Sequence, residues 1–276
     1  DMDTVVVGLG VAPASVEPLR WAAQYCRLVG DELLGVVGFS PSQAESPPDW
    51  YEHEVALVRK QAQAAMDAMA SEVPRRAELR DGDPRDVIPE VACDDGAAVV
   101  VVGAGAGNGL RRLGLTGVAH HLAHHLPMPL VIVPGMAPTL RGRPVVVGLD
   151  GSPTDVATLE WAVRLAGAVD GSVAAVYASD PMAMSYPHQP GATVADQKQE
   201  VVSAQVARAA TPGVEITMTV EIDHPVAALT RVADQVDGSV VVIGRRRAGH
   251  RSVLLGRVPA ELPHHARRPV AIVPRP

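Results

Sequence analysis

The chain has 276 residues, 47% of them hydrophobic but only 3% aromatic, so its cores must be built from Val, Ala and Leu. At roughly 100–200 residues per domain it holds one or two domains, and no apolar run approaches the ~18 residues of a membrane span or reads as a secretory leader. A net charge of −7, from 24 basic and 31 acidic residues, argues against a general nucleic-acid binder, and the two cysteines, Cys26 and Cys93, both in the first half, predict a reduced, cytoplasmic setting without a disulfide framework.

In chain order, short apolar runs alternate with helical patterns, which is the signature of βαβ units. Strands are predicted near 4–9, 32–38, 76–80, 98–103 and 129–133, and again near 143–149, 172–178, 214–221, 239–244 and 269–273, with four helices between the strands of each half. The second set repeats the first. Val5-Val6-Val7-Gly8-Leu9-Gly10 matches Val145-Val146-Val147-Gly148-Leu149-Asp150, and Trp21-Ala22 matches Trp161-Ala162, at an offset of 140. Pro84 matches Pro225, and Val101-Val102-Gly103 matches Val242-Ile243-Gly244, at 141; the run from Pro129 to Pro134 matches Pro269 to Pro274 at 140 again. A period of this length means duplicated domains, 1–138 and 143–276, joined by a short polar linker. Runs that are apolar at every position, such as Val99 to Val102 and Val240 to Ile243, belong to parallel strands covered on both faces. In the helix after Pro153, Val156, Leu159, Val163 and Ala166 are expected to face the sheet. Pro84 and Pro225 suit a first helical turn.

Right-handed crossovers then give a doubly wound α/β sheet in each half. Ligands on such sheets bind beyond the carboxyl ends of the strands, where strand order reverses, which singles out the loops after the first and fourth strands. In the second half the first of these reads Asp150-Gly151-Ser152. The Asp150 carboxylate can accept a hydrogen bond from a base or ribose, and Gly151 allows close approach; the plainer role for Asp150 or Ser152 is a helix cap. The first half has Gly10-Val11-Ala12 there and lacks the carboxylate. After the fourth strand stand Gly244-Arg245-Arg246-Arg247 and then Gly256-Arg257; the first half has Gly103 to Gly109 and then Leu115-Thr116-Gly117. Glycine-rich turns into a helix cradle phosphate through backbone N–H groups, and arginines add charge-assisted bonds; the plainer reading is a solvated turn. The only lysines, Lys60 and Lys198, lie in helical segments, so there is no P-loop. No Ser/His/Asp or Cys/His set recurs at the strand ends. His121 and His125 have the spacing to share a metal, but no carboxylate or thiol completes the set, so no metal site is expected.

The order of strand-one Asp-Gly-Ser, a Trp-bearing helix, His224-Pro225, Val241-Val242-Ile243-Gly244, Leu254-Leu255-Gly256, His264-His265-Ala266 and Arg268-Pro269-Val270 resembles the universal stress protein family across both halves. The resemblance implies two tandem Rossmann-like α/β domains, each a five-stranded parallel sheet flanked by helices, and ATP, with Mg2+ as its companion, at the loops after strands one and four, under the signature G-x2-G-x9-G-[ST]. By that resemblance Asp150 is the adenine contact, Gly244 the first glycine and Gly256 the last. The sequence departs from the signature: Arg247 stands at the middle glycine, Arg257 at the Ser/Thr, and the spacer is one residue short, so that the arginines either replace backbone cradling with charge or, as Arg247 or Arg257, fill the pocket and leave it empty. In the first half Ala106 stands at the second glycine, Thr116 at the third and Gly117 at the Ser/Thr. The expected nucleotide-binding set is therefore Asp150, Gly151, Ser152, Gly244, Arg245, Arg246, Gly256 and Arg257, in the second half alone. The fifth strands, Val131 to Val133 and Ala271 to Val273, are apolar edges. The family's habit implies that the two halves cover them as a pseudo-dimer, with a homodimer as a further step. Three functions follow in order: a nucleotide-binding stress-response protein with little turnover, a ligand-free interaction protein that kept the fold, and a slow ATPase. Abundant Arg, Ala and Val with scarce Lys point to a GC-rich bacterial source.

Overall fold

The computed structural model describes residues 2–10, 16–39, 50–69, 72–105, 117–179, 194–245 and 255–275. The chain divides into two compact units, Asp1–Met136 and Ala137–Pro276. In the first, β1 (Thr4–Gly8), α1 (Val16–Val29), β2 (Glu32–Phe39), α2 (Trp50–Met69), β3 (Arg75–Asp81), α3 (Pro84–Asp94), β4 (Val99–Gly103), α4 (Val118–His125) and β5 (Leu130–Val133) follow one another. In the second, β6 (Val145–Leu149), α5 (Thr154–Ala168), β7 (Val173–Ser179), α6 (Val194–Ala209), β8 (Ile216–Ile222), α7 (Pro225–Gln235), β9 (Val240–Gly244), α8 (Arg257–His265) and β10 (Val270–Val273) repeat the series. Every strand begins and ends within two residues of its predicted bounds.

All pairings within each unit are parallel. The order is β3-β2-β1-β4-β5 in the first and β8-β7-β6-β9-β10 in the second. Chain direction along the sheet reverses between β1 and β4, and between β6 and β9, so each unit has one switch point. The uniformly apolar runs lie where two-sided cover demands them: Val5, Val6, Val7, Val99, Val100 and Val101 are fully buried, as are Val145, Val146, Val147, Val240, Val241 and Val242. Pro84 and Pro225 begin α3 and α7, where the missing N–H costs nothing. Asp83 completes the α3 cap by accepting the Arg85 N–H at 2.8 Å.

One helix departs from its sequence pattern at a single position: Leu159, Val163 and Ala166 are buried as expected, and Val156 is not. In α5 the buried set is Thr154, Asp155, Thr158, Leu159, Trp161, Ala162, Val163, Leu165 and Ala166, while Val156, expected to face the sheet, is 44% exposed. In this first turn the Asp155 carboxylate faces inward to the loop before the helix, and Val156, the next residue, faces outward.

With so few aromatics, Trp21 carries an outsized share of the first core: it is fully buried and its ring stacks on Tyr25 with centroids 5.4 Å apart. Trp21→Ala should lower unfolding free energy by about 3–5 kcal/mol, read as a lower urea midpoint at unchanged slope.

Candidate functional site

The carboxyl end of central strand β6 delivers the chain into a tight turn. Gly151 has φ +77°, a backbone that residues with a Cβ rarely adopt. The turn folds its own donors inward. The Asp150 and Gly151 N–H groups donate to Asp155 Oδ2 at 3.1 and 2.7 Å, and the Ser152 N–H donates to Asp150 Oδ1 at 3.0 Å. The Asp155 N–H donates back to the Ser152 carbonyl at 3.1 Å, and α6 adds a clamp through Gln205 Nε2, which donates to the same carbonyl at 3.0 Å. The Lys198 stem lies over Gly151.

Asp155 was not among the residues singled out from sequence. It is 3% exposed, and burial, followed by the nearby Asp150 charge, pushes its carboxyl up to about 6, against the downward pull of the backbone N–H groups. The signal was present as a carboxylate four residues after a glycine turn and in the first turn of a helix, where the helix dipole and free backbone donors favour it.

Gly244 ends β9, which lies beside β6 with Gly148 opposite Ile243. A Cβ on Gly244 would stand 2.8 Å from Thr154 Cγ2 and 2.9 Å from Thr158 Oγ1. The bare glycine therefore lets the end of β9 close directly onto the first turn of α5. That helix joins Gly244 to the Asp150 turn across the switch point. Beyond it, the Arg245 N–H donates to the Val273 carbonyl at 2.7 Å, extending the β9–β10 pairing by one residue. Arg246, Arg247, His250, Arg251 and Leu254 lie outside the described residues. Gly256 caps α8, with the Ala260 N–H donating to its carbonyl at 3.1 Å. Arg257, expected to face a phosphate, has its guanidinium on Glu261 one turn along, with Nε donating to Oε1 at 2.9 Å. This bond holds the Glu261 carboxyl below its usual range. α8 itself packs on α7 and β10. The structure thus gathers Asp150, Gly151, Ser152 and Gly244 around the start of α5, and sets Gly256 and Arg257 at the start of α8.

The first unit keeps the frame with different contents. The Ala104 N–H donates to the Val133 carbonyl at 3.1 Å, as Arg245 does to Val273, and Gly117, at φ 61°, precedes α4. By the 140-residue offset, Thr158 becomes Pro18, which is buried, and Asp155 becomes Ser15. Ser15, Val11, Ala12, Ala106 and Thr116 lie outside the described residues. On α4, His120 and His124 have ring centroids 4.6 Å apart, and His121 and His125 4.4 Å. Among the described residues no group of three or more His, Cys, Asp or Glu has the geometry to hold a metal.

Because the folded pKa of Asp155 is raised, protonation favours the folded state. The stability this confers is complete below pH ~3.8 and is lost as pH climbs through about 6, a change of about 3 kcal/mol. Asp155→Asn should remove that slope between pH 4 and 6 while keeping an acceptor for the turn. Asp155→Ala should cost about 1–3 kcal/mol at neutral pH by stranding the donors. Unfolding midpoints measured across this pH range for the three proteins check both outcomes.

The family model for the universal stress protein family matches residues 2–134 and again 142–274. Universal stress protein Rv2623 of Mycobacterium tuberculosis strain H37Rv is 28% identical over 289 residues, an alignment covering 97% of this chain and 95% of that protein. A universal stress protein of Mycolicibacterium smegmatis is 30% identical over 138 residues, 47% of either chain. Among solved structures, a universal stress protein from Archaeoglobus fulgidus covers 99% of this chain and 96% of its own, with a TM-score of 0.72 at 18% identity. The functionally unknown protein PA1789 from Pseudomonas aeruginosa covers 99% and 93%, with a TM-score of 0.69 at 17% identity. These structural likenesses concern the fold. With the family's domain matched twice and nearly end to end, the chain belongs to the universal stress protein family.

Proposed function

We propose that the second unit binds an adenine nucleotide, ATP with Mg2+ as its companion ion, beyond the carboxyl ends of β6 and β9, and signals its presence with little or no turnover. The observation that carries this reading is the junction of the Asp150 turn and the bare Gly244 at a strand-order reversal, both fixed by the first turn of α5. On this reading Asp150 meets the base or ribose. The backbone at Gly151 and Gly244 permits close approach, and the α8 N-terminus after Gly256 faces phosphate. Arg245, Arg246 and Arg257 add positive charge. A bacterial, cytoplasmic setting belongs to the same proposal, supported by composition and by the free thiols of Cys26 and Cys93. The competing reading is a ligand-free interaction protein. It is favoured by the inward N–H groups of residues 150–152, already bonded, and by the Arg257–Glu261 pair.

A melting-temperature titration with ATP, ADP and AMP separates the two. A ligand at 100 times its Kd adds about 2.7 kcal/mol of stability. The shift should vanish in Asp150→Ala and persist in Gly10→Ala; no shift with any of the three nucleotides supports the interaction protein instead. Glu261→Gln releases Arg257 from an exposed i,i+4 pair. It should tighten ATP binding by about two-fold, as read by calorimetry.

A further inference from the structure

The outer strands β3 and β8 occupy equivalent places in the two units but differ sharply in chemistry. β3 carries five charges in seven residues: Arg75, Arg76, Glu78, Arg80 and Asp81. β8 reads Ile-Thr-Met-Thr-Val-Glu-Ile, and its only charge, Glu221, is bonded by Arg231 of α7 at 2.7 Å. Val220 is 40% and Ile222 65% exposed, and no described strand pairs with the outer side of β8. Charge on an outer strand blocks pairing with a stranger; a long uncharged one invites it.

The hydrogen-bonding phase of β8 is fixed by its inner neighbour. The Val173 N–H donates to the Glu215 carbonyl at 2.8 Å, so residues 215, 217, 219 and 221 spend their backbone groups on β7. By the alternation of a strand, Ile216, Met218, Val220 and Ile222 present N–H and C=O outward. We propose that β8 is a self-association surface, on which a second copy of this chain adds its own β8 antiparallel, about a two-fold axis at Thr219.

That register is complementary at every position. It sets Ile216 against Ile222 and Met218 against Val220 as hydrogen-bonded pairs, using every outward backbone group of the four. It sets Thr219 against its own copy and Thr217 against Glu221 as the pairs between them. The apolar pairs share one face, the side on which Ser203 of α6 reaches Met218, so the exposed Ile222 and Val220 become covered. In the equivalent register β3 would place Glu78 on Glu78 and Arg76 on Arg80, like charges directly opposed. The duplication thus yields one guarded and one unguarded outer strand, and the unguarded one matches itself.

Sedimentation of the full chain should show a dimer. Val220→Lys, which places a charge in the seam, should weaken it more than ten-fold. Val220→Pro removes an outward N–H without touching the bonds to β7 and should do the same. As a register test that does not depend on affinity, Thr219→Cys in a Cys93→Ser background should oxidise to a linked dimer, because a non-hydrogen-bonded antiparallel pair holds its Cα atoms about 4.5 Å apart, within disulfide reach. Glu215→Cys in the same background should stay unlinked. The proposal is overturned by a chain that remains monomeric, by a dimer that Val220→Lys leaves intact, or by linkage at position 215 as efficient as at 219.

Discussion

A parallel sheet must release its chain at the carboxyl edge, and in the second unit the release from β6 is governed by one buried carboxylate. Asp155 gathers the N–H groups of Asp150 and Gly151, which fixes the direction of the turn into α5, and Thr154 and Thr158 of that helix form the seat against which Gly244 closes. The interaction is costly, since an ionised carboxylate is held away from water with a second carboxylate close by. It persists because several backbone donors face it. A buried charge with this many partners specifies geometry more than it contributes stability. The turn it builds is the most constrained part of the candidate site.

The fold was legible from sequence because its signals are redundant. Val99 to Val102 and Val240 to Ile243 could only be strands covered on both sides, and Pro84 and Pro225 mark helix starts by what proline cannot donate. The repeat then checked each assignment against its twin. The site was less legible. Asp150, Gly151, Ser152 and Gly244 could be singled out as candidates because loop position on a doubly wound sheet is a topological fact. Asp155 was missed because a carboxylate in a first helical turn reads as a solvated, dipole-favoured residue; periodicity placed Leu159, Val163 and Ala166 rightly but put Val156, not its neighbour Asp155, on the buried side of that turn. The pairing of Arg257 with Glu261 was equally hidden, since an arginine beside a glycine-capped helix looks available for phosphate until its rotamer is known.

The two units show how a duplicated domain keeps its frame while its loops diverge. Strand order, helix starts and the backbone bond that extends β4 or β9 toward its neighbour recur. The residues that build the second turn, Asp150, Asp155 and Thr158, stand opposite Gly10, Ser15 and Pro18. None of these three changes disturbs a strand, so each could accumulate without loss of the core. Conservation of architecture with loss of polar detail is expected where selection on binding acts on one copy and selection on packing on both.

Duplication also has a consequence during synthesis on the ribosome. The central strands Val5-Val6-Val7-Gly8-Leu9 and Val145-Val146-Val147-Gly148-Leu149 are identical over five residues, and each must find a partner nearly a hundred residues downstream, β4 or β9. Long-range parallel pairing is slow, and interchangeable strands invite a wrong partner from the other copy. N-terminal translation order limits the hazard, because β4 emerges before β6 exists. A circular permutant that releases both central strands before either partner would lose that protection and misassemble in proportion to their likeness.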